Sequence, residues 1–233
     1  MSDLINVISS LIAATAALGT ASYALVDGSK AFWGGVSNNG FVHIKRILEK
    51  LFPNDSKNNS VPIPLKDVKE ALKARWLNGV PLAEQKATAK SLIKLRLNEY
   101  TAKDLANATG VKEEKLKELA KTIAEGGTPK ADDADFFNRF DLMLTTIIDR
   151  GYQQADQAYR NKARVYSIVV SVILALLGGW LIDKEVEFMK FLGSRQMGMA
   201  FLIGLAATPV APIAKDLTSA LSAGVKAAQM LRK

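Results

Sequence analysis

ADDADFFNRFDLMLTTIIDRGYQQADQAYRNKARVYSIVVSVILALLGGWLI, Ala131 to Ile182, decides how the rest of the chain is read. Apart from Gly151, and the pair Gly178-Gly179 close to its end, nothing in it breaks a helix. As one helix it extends about 75 Å at ~1.5 Å per residue. Its last third, Val165 to Ile182, is uncharged between Arg164 and Asp183 and rich in Val, Ile and Leu, the composition of a bilayer span. Its first part is amphipathic. Phe137, Phe140, Leu144, Ile147 and Gly151 recur at alternating three- and four-residue spacings, and the register continues through Gln154, Ala158 and Asn161. The stretch therefore predicts a stalk helix over 128–164 that runs on into a membrane span.

An apolar seam on a stalk has to be buried somewhere. A seam that turns polar tolerates a watery axis, and buried amides set register and partner number in coiled coils. Phe137, Phe140, Leu144, Ile147, Gln154 and Asn161 are accordingly the expected contacts between copies of a homo-oligomer. The competing expectation packs the same seam on the chain's own smaller helices.

Two further blocks are uncharged: Leu4 to Val26 between Asp3 and Asp27, and Gln196 to Ala214 between Arg195 and Lys215. The first covers a hydrocarbon layer of ~30 Å. It is read as a retained span, because Met-Ser-Asp offers none of the positive charge that opens a cleavable signal. The third, with a short polar connector before it, completes a hairpin over 165–214. The segment before the first span has no Lys or Arg, whereas residues 27–164 carry 24 of them against 18 Asp or Glu. That asymmetry predicts the N-terminus outside, with the central segment and C-terminus cytoplasmic, in a bacterial-type inner or plasma membrane. The basic surplus suits an anionic lipid surface.

Between the spans, Phe32 and Trp33 sit where interfacial aromatics belong. From Gly40 to Phe52 an apolar stripe (Phe41, Ile44, Ile47, Leu48, Leu51) opposes a basic face containing Lys45 and Arg46, suited to headgroups or, equally, to packing on neighbouring helices. Leu65, Val68, Leu72 and Trp76 mark a helix that stops at Asn78-Gly79. A second opens at Pro81 with Ala83, Ala87, Leu92 and Leu95 expected inward. A third starts at a capping-box-like Thr101-Ala-Lys-Asp104 and ends at Gly110, and a fourth spans 112–124.

The predicted fold is all-α: an integral membrane protein with three transmembrane helices and a cytoplasmic helical domain. Its divisions are a first span at 1–27, an interfacial amphipathic segment and linker at 28–60, a small helical domain at 61–127, the stalk at 128–164, the hairpin at 165–214 and a cytoplasmic C-terminal helix at 215–233.

The chain has 233 residues, net charge +8, 48% hydrophobic residues, no cysteine and one histidine. Thiol nucleophiles, disulfides and Cys zinc sites are excluded, and imidazole catalysis has almost no material. No phosphate loop, dinucleotide fingerprint, EF-hand or nucleophile elbow occurs. No catalytic residue, cofactor or metal is expected. Leu105, Ala106, Gly110, Val111, Leu116 and Leu119 have helix-turn-helix spacing, but the second helix opens Lys112-Glu113-Glu114, and two carboxylates at its start disfavour nucleic acid. Lys90, Lys94 and Arg96 form a basic helix face. The expected role is non-catalytic: a self-associating membrane scaffold or pore-like assembly, or alternatively a membrane tether whose helical domain binds a partner. The expected partners are the bilayer and further copies of the chain, and no protein partner is identified.

Overall fold

The computed structural model describes residues 2–32, 34–54, 63–127, 131–182 and 187–209, with side chains described from residue 9 in the first helix and from 133 in the longest one. The regular structure among them is helical: α1 (Ser2–Gly28), α2 (Ser37–Leu51), α3 (Leu65–Leu77), α4 (Leu82–Leu95), α5 (Ala102–Thr109), α6 (Glu113–Ala124), α7 (Ala131–Ile182), α8 (Phe188–Leu192) and α9, residues 195–209. Trp33, most of the linker before α3, the end of the expected third span and the expected C-terminal helix at 215–233 lie outside the described residues.

The chain divides into two compact units, one of Ser37–Tyr159 and one of Met1–Val36 with Arg160–Lys233. In the first, residues of six helices, α2 to α7, converge on one core. Leu65, Val68, Leu72 and Trp76 of α3 are all buried, as are Leu105 and Ala106 of α5 and Leu116 and Leu119 of α6. Each fully buried Leu is worth roughly 1.5–3 kcal/mol of transfer free energy, so these stripes dominate the unit's stability. Gly79 (φ +67°) ends the first helical hairpin and Gly110 (φ +71°) turns α5 into α6, both in the left-handed region that glycine enters without steric cost.

The apolar face of α2 (Phe41, Ile44, Leu48, Leu51) is buried in this core, so it packs on protein helices and not on headgroups. The stalk does the same. Phe140 and Leu144 are wholly buried, and Phe137 and Ile147 lie partly buried against them, so the apolar half of the seam packs within one chain. The segments expected as 28–60, 61–127 and 128–164 thus contribute to a single unit. Its buried register on α7 is Phe140, Leu144, Ile148, Tyr152 and Ala155, drifting away from the heptad that named Ile147 and Gln154. A straight α-helix drifts about 20° per heptad, and a helix packed on short neighbours has no reason to supercoil. On α4 the inward residues are Gln85, Ala89 and Ile93, whereas Ala83, Ala87 and Leu95 are exposed. The Gln85 amide is buried with its Nε2 donating to the Val80 carbonyl at 2.6 Å.

The second unit is built the other way round. Apart from Val26 and Phe191, its buried positions are small or hydroxylated: Thr15, Gly19 and Ser22 on α1, Ala163, Ser167 and Ser171 on α7, Ala200, Gly204 and Ala207 on α9. Its large apolar side chains, among them Leu11, Leu25, Val165, Val169, Ile173 and Leu177, are exposed. The alanine stripe Ala13, Ala17 and Ala21 also points outward. α9 lies against α7: the Ser171 hydroxyl donates to the Gly204 carbonyl at 2.6 Å, and a Cβ on Gly204 would stand 2.5 Å from the Cα of Val172. This is close backbone approach through small residues, the mode by which helices associate in lipid.

Two helices are long and apolar enough to cross a membrane, over Ser9–Ala31 and Asp133–Ile182. Only 11% of the most apolar window of α7 is buried, unlike the core helix of a water-soluble protein. The third expected span is described only over 195–209 and does not reach that length, so two candidate spans are found where three were expected.

Candidate functional site

Within the Ser37–Tyr159 unit, α2, α5 and α7 enclose a cleft of about 610 Å³. Helical spacing brings its polar groups together. His43, Arg46 and Lys50 lie at i, i+3 and i+7 on α2, one face of two turns, and Arg150 and Gln154 lie one turn apart on α7. Asn107 and Asp104 enter from α5, while Ile47, Ala108 and Ile147 supply apolar wall. The two cationic helices meet at a specific point. A Cβ built on Gly151 would collide with the Cδ1 of Ile47, so the backbone beside Arg150 touches the side chain that separates Arg46 from Lys50. With glycine at 151, α7 reaches this contact without displacing the Ile47 side chain.

Asp104 is not a counterion for this cluster. Its carboxylate is buried and accepts from Asn54, at 2.8 Å from Nδ2 and 3.4 Å from the backbone N. The expected capping box is therefore absent. Thr101 makes no cap bond either; its hydroxyl donates to the Arg96 carbonyl at 2.5 Å. Among the described residues no carboxylate lies within ion-pair distance of Arg46, Lys50 or Arg150.

The opposite side of α7 is neutralised. Lys86 pairs with Asp149 at 3.0 Å, Lys90 with Asp141 at 2.5 Å, and Lys94 also pairs with Asp141 while its ammonium lies 4.8 Å from the centre of the Phe137 ring. Burial pushes the Asp141 carboxyl up, but the hydrogen bonds and charges of Lys90 and Lys94 outweigh it and hold the group below the ordinary aspartate value. Arg96, the third member of the expected basic face, is wholly buried over the Phe52 ring at 4.6 Å and donates to the Ile63 carbonyl. That face is thus used within the chain.

Of the residues expected to matter, Arg46, Ile147 and Gln154 line the cleft. Asn161 is exposed and belongs to the other unit. Lys45 is exposed beside Glu49 at 3.7 Å, and Phe32 is 72% exposed. Lys50 belongs to the basic face that the sequence predicts for this helix, whereas Asn107 and Arg150 are not among the expected site residues. Arg46 and Lys50 carry the only local signal, an i, i+4 cation pair; Arg150 is about a hundred residues away and nothing in its neighbourhood marks it. No family model matches the sequence, and no curated protein or solved structure matches it.

Proposed function

We propose that this protein is a non-catalytic membrane tether that holds an anionic partner on its helical unit. The observation that carries the reading is the cleft of Arg46, Lys50 and Arg150, a cluster of cations that no described carboxylate neutralises, on a chain whose other unit turns its large apolar side chains outward. The α7–α9 contact through Ser171 and Gly204 supports a hairpin and hence a third crossing over 196–214. The Lys/Arg asymmetry supports a cytoplasmic position for the Ser37–Tyr159 unit. One histidine and no cysteine support a binding role over a catalytic one.

The test uses full-length protein in detergent on immobilised heparin, a generic polyanion. Retention that falls with rising salt, and is lost in R46E/K50E/R150E, is the expected result. Retention unchanged in that variant overturns the tether reading. A second reading, self-association into a scaffold or pore, is favoured by one observation. Val165, Val169, Ile173 and Leu177 form an exposed row at four-residue spacing on α7, a surface for lipid or for another copy. Native mass in detergent separates the two: a single oligomer above the monomer mass favours assembly.

A further inference from the structure

We infer that the cleft between α2, α5 and α7 is a site for a phosphate-bearing small molecule. The phosphate is held by Arg46, Lys50 and Arg150, and the body lies along Ile47 and Ile147. The inference rests on the tether reading and names the chemistry of its ligand.

Three features select this class. The first is charge. One Arg fork satisfies a carboxylate, whereas three cations around one opening match a group with two or more negative charges and several acceptor oxygens. The second is size. A volume of about 610 Å³ falls in the ~300–1,000 Å³ range of small-molecule sites. The third is the mixture of walls. Asn107 and Gln154 supply amide donors and acceptors beside the cations, and Ile47 and Ile147 provide apolar surface for whatever carries the phosphate. All three cations line the one cleft, and the contact of Ile47 with Gly151 brings the helix of Arg150 against the helix of Arg46 and Lys50. Phosphate groups of this kind occur on soluble metabolites and on lipid headgroups, and both present the same monoester or pyrophosphate oxygens to the cleft.

The experiment is calorimetric titration of inorganic pyrophosphate into the full chain in lipid nanodiscs. Binding of one pyrophosphate per chain is expected. Arg46→Gln, Lys50→Gln and Arg150→Gln should each weaken it about tenfold, the loss of one charge-assisted contact, and Lys115→Gln on the exposed face of α6 should leave it within about twofold. Melting of each variant without ligand verifies that the fold is intact, and Arg150→Lys should restore part of the affinity lost in Arg150→Gln. Discs doped with phosphatidylinositol 4-phosphate identify the source. Reduced pyrophosphate affinity there assigns a headgroup, and unchanged affinity assigns a soluble phosphate compound. Absence of pyrophosphate binding, or binding indifferent to all three cations, overturns the inference. If heparin retention through the same three residues persists while pyrophosphate is silent, the tether reading survives and the phosphate site does not; if both are silent, both fall.

Discussion

Gly40 and Gly151 are both glycines inside helices, yet their surroundings differ. A Cβ on Gly40 would stand 2.5 Å from Cζ2 of Trp76 and 2.7 Å from the carbonyl oxygen of Ala155. Trp76 cannot yield, since its indole N–H donates to the Ser37 carbonyl at 2.9 Å and its ring meets Tyr159 edge-on at 6.3 Å. Ala155 presents backbone, which cannot rotate away. Gly40→Ala is therefore expected to destabilise the protein by about 2 kcal/mol, the scale of core overpacking. Gly151 meets only the tip of the Ile47 side chain, which has rotamers to use. Alanine there also gains up to about 1 kcal/mol of helix propensity, so Gly151→Ala should fall within about 1 kcal/mol of wild type. Denaturation of the full chain in detergent, followed by helical circular dichroism, ranks the two; a larger loss at 151 would contradict this geometry. Arg96 illustrates a different economy. Its buried guanidinium bridges Phe52 after α2 and Ile63 before α3, so a charged side chain secures a connection that apolar packing alone leaves open.

Between elements, the pairing of α4 with α7 is ordered by charge. Lys86, Lys90 and Lys94 repeat every turn on α4 and meet Asp149 and Asp141, two turns apart on α7, in antiparallel sense. Asp141 sits below the ordinary aspartate value, so folding favours its ionised form. That contribution is complete above the unfolded aspartate value of about 3.9 and is lost as pH falls through the lower folded value. Asp141→Asn should cost about 1–2 kcal/mol at neutral pH, leaving two lysines without their anion. The difference from wild type should shrink as pH falls below about 4 and vanish once the wild-type carboxyl is protonated. Melting of both proteins across that range checks the sign; a gap that widens in acid would refute it. These contacts also show what the sequence could convey. The bounds of α7, the stripe of α3 and the turn at Gly110 were legible because each is written in local spacing and local breakers. The direction of Lys90 and Lys94 was not, since their partner lies about fifty residues away, and a lysine on a helix face reads the same whether it meets water or Asp141. The cleft was invisible for the same reason. The stripe on α2 announced which face is buried, but not that Arg150 would be placed beside its basic edge.

For the molecule as a whole, the absence of cysteine makes single-cysteine labelling unambiguous. Lys121→Cys on α6 and Met189→Cys on α8 both replace exposed side chains, 70% and 77% accessible. With the proposed orientation, an impermeant maleimide applied to intact cells should modify position 189 and spare position 121 until the membrane is opened. Modification at 121 in sealed cells would invert the topology and, with it, the compartment in which the cleft meets its ligand. The crowding of the cleft has a consequence of its own. Arg46 and Lys50, one turn apart, repel by about 0.7 kcal/mol across ~6 Å of water, and Arg150 is drawn toward them by an apolar contact that has no regard for charge. Empty, the cleft works against the packing of α2 on α7; filled by an anion, it reinforces that packing. Occupancy and local opening are thereby coupled, so the amide hydrogens along α2 should exchange more slowly when the site is full. On the proposed reading, the helical unit would register an anion as a change in its own breathing, with no hinge or lid required.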